Sequence, residues 1–305
     1  MTQTISSLAP GELRTALRAG TLCLRTGAFV TRLRSSIPAV IDGIGLMYAD
    51  YPASVGAPFA DFQVHLKRPA GLRRWYRPQV AFDVDGMAPF RPLPLAQAFP
   101  MFEWVLNWHI SSRAHRYLIV HAAVVEKNGR AAILPAPPGS GKSTLCAALV
   151  CAGWRLLSDE LAMVRLEDGL VQPVPRPVSL KNASIGVIRR FAPHAVFSPE
   201  VADTTKGTVA HLKAPANSVR RAHETARPAW VIFPRYVAGA PARLEPLAPA
   251  RTFMRVAENC FNYSLLGKAG FHVLGGLADA ASGHEFSYGD LDEAIALFDR
   301  LAEAP

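Results

Sequence analysis

The strongest chemistry in the chain lies in the run Gly139-Ser140-Gly141-Lys142-Ser143-Thr144, set between an apolar stretch at 131–135 and a helical stretch at 142–152 that Gly153 closes. Glycines let successive backbone N–H groups turn inward around phosphate oxygens. A helix N-terminus behind the loop adds partial positive charge. In such a loop Lys142 reaches the β- and γ-phosphates, and the Ser143 hydroxyl is offered to Mg²⁺. The position that opens the pattern is Ala136 rather than glycine, a minor departure if that residue keeps an ordinary φ. Lys142 is expected to face solvent until nucleotide arrives.

An acidic pair, Asp159-Glu160, closes the next apolar run, 154–157. A right-handed strand–helix–strand crossover would bring Pro135 and Leu157 side by side at one sheet edge, with Asp159 beside the loop. Carboxylates there can hold Mg²⁺ or take the proton of an attacking hydroxyl. An acidic strand so soon after the lysine suits direct phosphoryl transfer to a hydroxyl. His121 is the third candidate. A hairpin turning at Asn128-Gly129 sets residue 121 opposite residue 136, where its imidazole either donates to the phosphoryl group or is a histidine satisfied within the sheet.

The elements that must hold these residues are legible in outline. Strand runs are read at 117–125, 131–135 and 154–157, and another hairpin at Glu167-Asp168-Gly169. Before residue 110 the pattern is strand-like: runs at 21–26 and 28–33 flank Gly27, and 61–67 and 79–85 alternate with period two, predicting a half-buried antiparallel sheet. Residues 95–115 read as a helix with Phe99, Phe102, Val105 and Leu106 on one face, and the chain ends in a helix capped by Asp290 or Asp292. The expected organisation is a β-rich segment over 1–112 followed by an α/β unit over 113–305.

The 305 residues are half hydrophobic, enough for a sizeable core and too apolar for disorder. No uncharged apolar run reaches the roughly 18 residues of a membrane span, and the N-terminus lacks the basic start and apolar core of a signal peptide, so a cytoplasmic location is expected. Four cysteines without C-x-x-C spacing argue against a disulfide scaffold or zinc ribbon. The formal charge of +9 suits anionic partners. Its densest cluster, 72–77, is short and interleaved with aromatics, and reads as a strand edge rather than a nucleic-acid surface.

Phosphoryl transfer needs cations besides Lys142 to neutralise the equatorial oxygens. Arg176 is the leading candidate because Pro175 and Pro177 stiffen its backbone; Lys181 and Lys206 are others, and each is otherwise a solvated loop cation.

Over about residues 117–165 the sequence resembles the HPr kinase/phosphorylase family. More narrowly it resembles the HprK-related kinase A subgroup, with the lasso-peptide kinases as similar relatives. The resemblance rests on His121 before the loop, Gly139 to Ser143 in it, and Asp159-Glu160 closing the next strand; segments 175–182 and 203–212 also look like the subgroup. It implies a P-loop, phosphoenolpyruvate-carboxykinase-like core. It also implies ATP and Mg²⁺ as cofactors, Asp159 as base, Glu160 as a second acidic group that binds the metal, and a homo-oligomer as in the hexameric HPr enzymes. The family pair is Asp-Asp where this chain has Asp-Glu, and the N-terminal domain of the full HPr enzyme has no match here. The expected function is ATP-dependent phosphorylation of a Ser or Thr hydroxyl on a peptide or small protein. The alternatives are a small-molecule kinase and a nucleotide-dependent binding module that transfers nothing.

Overall fold

The computed structural model describes residues 3–71, 76–84 and 87–303. Most of the basic cluster at 72–77 lies outside them. The fold is mixed α/β with three sheets. The first part of the chain contributes α1 (Pro10–Ala19), β1 (Leu22–Thr26), β2 (Phe29–Ser35), α2 (Pro38–Met47), β3 (Ala53–Val55), β4 (Phe62–Lys67), β5 (Gln79–Asp83), β6 (Leu93–Pro94) and α3 (Ala98–Arg113). Its six-stranded sheet runs β3-β1-β2-β4-β5-β6. Two expectations need correction. The segment is not simply strand-like, because α1 and α2 fold onto it; α1 starts with Pro10 at its first turn and stops at Gly20 (φ 72°). The sheet is not wholly antiparallel either, because β2 pairs β4 in parallel. The chain between them passes through α2 and β3, and so returns to the end of the sheet from which β2 began.

The second sheet carries β7 (Tyr117–Lys127), β8 (Arg130–Pro135), then, after α4 (Lys142–Cys151), β9 (Arg155–Ser158), β10 (Leu161–Arg165) and β11 (Val171–Gln172). A third, three-stranded sheet follows from β12 (Val178–Lys181), β13 (Val201–Thr204) and β14 (Gly207–Leu212), with α5 (Ala183–Phe191) inserted after β12. After α6 (Ala216–Arg220) the chain returns to the second sheet through β15 (Arg227–Tyr236), β16 (Arg243–Leu247) and, beyond α7 (Pro249–Ala257), α8 (Tyr263–Leu266) and α9 (Lys268–Ala280), β17 (Ser282–Tyr288). The last helix is α10 (Leu291–Glu303), whose first turn is capped by Asp290 Oδ1 accepting the Asp292 and Glu293 N–H groups.

β7 and β8 form the expected hairpin, closed by Asn128 (φ 56°) and Gly129 (φ 78°), with Ala122 opposite Pro135. Both strands are buried on both faces, which accounts for their continuous apolar run. Ala122 and Val124 enter one core with Leu274 and Leu277 of α9, whereas Ala123 and Val125 enter another with Leu145 and Leu149 of α4. That second core runs on without a break to Leu22, Phe82 and Phe102, so α3 and the first sheet are packed against the loop-bearing part.

Between β7 and β9 Glu126 and Arg155 form a buried ion pair, and Arg155 also donates to the carbonyls of Arg221 and Glu224. Glu126→Ala removes the buried counter-charge and leaves the guanidinium only the more exposed Glu224 carboxylate at 3.9 Å. We expect a loss of about 3 kcal/mol in urea unfolding, the low end for a broken buried pair.

Candidate active site

The loop between β8 and α4 is shaped by two left-handed glycines, Gly139 (φ 86°) and Gly141 (φ 89°). It is tied down at two points. The Tyr236 N–H at the end of β15 donates to the Ser140 carbonyl (2.9 Å), and the Tyr288 hydroxyl at the end of β17 donates to the Gly141 carbonyl (3.0 Å). A Cβ on Gly141 would lie 2.5 Å from that hydroxyl and 2.9 Å from Tyr236 Cβ, whereas one on Gly139 would meet nothing. Gly139→Ala therefore bears only the cost of its φ, roughly 1–2 kcal/mol. Gly141→Ala is expected to cost more than that in urea unfolding and to displace the loop.

Two expectations about the surroundings of the loop are corrected. β9 and β8 are not neighbours, because β7 lies between them and pairs both. Both run antiparallel to β7, so they still point the same way and finish at the same edge. β9 and β10 line up along one side of β7, where Ser158 faces Val124 and Leu161 faces His121, and the acidic pair occupies the break between them. The second correction concerns Lys142. Its side chain is buried rather than solvent-facing, and its Nζ has no hydrogen-bond partner. The first turn of α4 packs this side chain inward toward the acidic pair. Burial lowers its pKa, and the nearby charges of Asp159 and Glu160 only partly offset that.

Asp159 is 5% exposed. Its Oδ2 accepts the Ser179 N–H (3.0 Å) and its Oδ1 is unpartnered. Burial raises its pKa to about 6 and Glu160 adds to the rise, against the pull of Lys142, the Ser179 N–H and the Ser143 hydroxyl. Glu160 behaves in the opposite way. Burial favours its neutral form, but Lys206, Lys181, Arg176 and Lys142 together hold its pKa below the ordinary value. His121 is half-buried, and its pKa falls to about 4 through burial and the cations Lys142, Lys181 and Lys206, despite Glu160. Its ring lies 5.7 Å from that of Phe261.

Arg176 is buried beside the acidic pair, but its guanidinium is engaged by α3: it pairs with Glu103 (3.5 Å) and donates to Asn107 Oδ1. Asn107 in turn donates to Glu160, and the Tyr48 hydroxyl donates to Glu103 (2.7 Å). Burial raises the pKa of Glu103 to about 7, although Arg176 and Tyr48 oppose it. Lys181 and Lys206 are placed by one contact. Asn182 Oδ1 accepts the Thr208 N–H (3.0 Å), and the Asn182 N–H donates to the Thr208 carbonyl (2.9 Å), which joins the end of β12 to the β13–β14 turn. The structure thus brings His121, Lys142, Asp159, Glu160, Arg176, Lys181 and Lys206 into one electrostatic neighbourhood.

Sequence reasoning missed Asn107, Trp104 and His211. The first two lie on a helix read only for its apolar face, and His211 lies within 203–212, a segment noted only for its resemblance, with no residue in it singled out.

A family model described as SynChlorMet cassette protein ScmC matches residues 97–178. That span runs from α3 to Pro177 and its neighbour, and so includes His121, the loop, the acidic pair and Arg176. Among solved structures the chain is similar to the Hpr(Ser) kinase/phosphatase from Coxiella burnetii, at 14% identity and a TM-score of 0.27, over 60% of this chain and 96% of that one. No curated protein matches the chain. Among the described residues no helix is long and apolar enough to cross a membrane.

Proposed function

We propose that the chain is an ATP-dependent kinase that phosphorylates an alcohol side chain, Ser or Thr, of a peptide or small protein. One observation carries this reading. The buried ammonium of Lys142 and the Oδ1 of Asp159 both lack partners, next to a loop whose glycines turn its backbone toward a helix N-terminus. Such an arrangement is costly to build and is relieved by a bound polyanion and an incoming hydroxyl.

The residues present also fit Mg²⁺. That ion keeps waters and substrate phosphates and asks the protein for one or two oxygens. The Ser143 hydroxyl beside the acidic pair would supply one, and Glu160, whose charge its cations maintain, would be the better-suited carboxylate. When bound, Mg·ATP supplies the phosphoryl group and neutralises part of its charge.

The chain's own residues do the rest. Loop N–H groups and Lys142 hold the phosphates. Asp159, with a pKa near 6, is ionised at neutral pH and basic enough to take the acceptor proton as the new O–P bond forms and the bond to ADP breaks. Lys181 and Lys206 add positive charge on the side of Glu160. His121 is neutral and acts as a hydrogen-bonding group, not a cation.

The test is incubation of the protein with γ-labelled ATP, Mg²⁺ and Ser/Thr peptides or the products of neighbouring genes, read by mass spectrometry. Phosphoserine or phosphothreonine in an acceptor is expected. Tight ATP binding without any phosphorylated product would overturn the reading.

A further inference from the structure

A small cleft with room for about one water-sized group opens beside Asp159, lined by Trp104 and Asn107 of α3, by Glu160, Arg176, Pro177 and Ser179, and by His211 of β14, with no residue of the 136–144 loop in its wall. Ser179 and His211 face each other directly across the β12–β14 pair. Four of the side chains in the wall carry buried polar atoms without a partner: Trp104 Nε1, Asp159 Oδ1, Ser179 Oγ, and both ring nitrogens of His211. His211 is 1% exposed, its ring edge-on to Phe99 at 5.4 Å. Unpartnered buried groups are rare, and so many around one cavity point to an occupant.

The donor and acceptor inventory defines that occupant. An indole N–H only donates, an ionised carboxylate only accepts, and a hydroxyl or a neutral imidazole does both. The occupant must give a proton to Asp159 and take one from Trp104 or His211. An ammonium has no lone pair for the indole. A carboxylate has no proton for Asp159, and either it or a phosphate would sit against the carboxylates of Asp159 and Glu160. A hydroxyl meets both demands; a water would satisfy the same inventory, but Pro177 and the indole face add apolar wall that suits the carbon of an alcohol, and titration with an alcohol separates the two. The Lys206 ammonium lies 5.4 Å over the indole ring, which fixes the far side of that wall.

We propose that Trp104, Ser179 and His211 form, with Asp159, a subsite for an aliphatic alcohol, and so determine which acceptor the enzyme uses. The inference rests on the kinase reading only in making that alcohol the phosphoacceptor. The free alcohol and the seryl side chain share the chemistry and are separated in the test.

The intact, nucleotide-free protein is titrated with N-acetyl-L-serinamide, with glycerol, and with N-acetyl-L-alaninamide, while the ¹⁵N resonances of the His211 ring and the Trp104 indole are followed. His211→Gln and Trp104→Phe provide the assignments. Saturable shifts of both with serinamide, and none with alaninamide, are expected. A stronger response to glycerol would also support the subsite and assign it to free alcohols. If neither alcohol moves these resonances, or alaninamide moves them equally, the proposal is wrong. In turnover, Trp104→Phe, which keeps the ring and removes the N–H, should raise the acceptor KM about tenfold and leave the KM for ATP unchanged. An unchanged acceptor KM would contradict it. Shifts without any phosphoryl transfer would sink the kinase reading alone. Transfer with silent resonances would sink the subsite alone.

Discussion

Lys142→Met should raise the melting temperature of the nucleotide-free protein while removing most of its stabilisation by Mg·ATP. The ammonium is buried without a hydrogen-bond partner, and the net effect of its surroundings is to lower its pKa. A lowered lysine pKa means that the folded state holds the charged form less readily than the unfolded chain does. At neutral pH the protein therefore bears the whole cost, which fades only as pH rises toward the ordinary lysine range. Methionine keeps the length of the side chain and removes that cost. Each kcal/mol regained moves the midpoint by about 2–4 °C in a protein of this size class. The same change deletes a charge-assisted contact to phosphate, worth about 1.5–3 kcal/mol, or roughly 10- to 100-fold in affinity. At a nucleotide concentration that stabilises the parent by about 2.7 kcal/mol, the variant would gain about half of that or less. Scanning calorimetry with and without Mg·ATP reads both effects. A lower apo midpoint would contradict the burial argument, and an undiminished nucleotide shift would contradict the phosphate assignment.

Asp159→Asn is expected to cut phosphoryl transfer by roughly 10²- to 10⁴-fold, the range for loss of one general base, with ATP still bound. The loss will be smaller if the transition state is loose, because the hydroxyl then gives up its proton late. In the parent protein, kcat/KM for the proposed transfer should rise with pH through a midpoint near 6 and level off above it, because Asp159 must be ionised to accept a proton. The stability effect follows from the same shift. A carboxyl whose folded pKa lies above its unfolded value binds more protons when folded, so the parent loses stability as pH rises from about 4 to about 6. The asparagine variant should lack that loss and be the more stable protein at pH 7. Glu160→Gln separates the two carboxylates. Its pKa is held down, so its removal should leave the midpoint near 6 in place and instead weaken the Mg²⁺ dependence of ATP binding. A wild-type rate in the Asp159 variant would end the base assignment.

Local signals in the sequence carried a large part of this site. Asn128-Gly129 fixes a two-residue turn, and the turn fixes the register that sets Ala122 across from Pro135, next to His121. The spacing of Gly139, Gly141 and Lys142 between a strand and a helix is equally local. What escaped depends on partners distant in the chain. Nothing near Leu157 reveals that β7 separates it from Pro135, and the parallel pairing of β2 with β4 is decided by the path through α2. Lys142 looks like any loop lysine until the acidic pair is placed against α4. Asn107 and Trp104 escaped because no motif marks them, and His211 because the resemblance of 203–212 singles out no residue; they matter only through tertiary placement. α1 is a different kind of omission, since Pro10 at its start and Gly20 at its end are standard boundary signals.

The two tyrosine anchors of the 136–144 loop have a thermodynamic consequence. Because Tyr236 and Tyr288 hold the Ser140 and Gly141 carbonyls, the loop is ordered by folding and not by its ligand. The entropy that a floppy loop would surrender on binding is already gone, so more of the contact energy survives as affinity. The anchors lie at the ends of β15 and β17, where strands fray first. Mild heat or denaturant that loosens those ends should therefore erode nucleotide affinity well before the protein unfolds globally, and binding would serve as a sensitive gauge of how intact that sheet edge is.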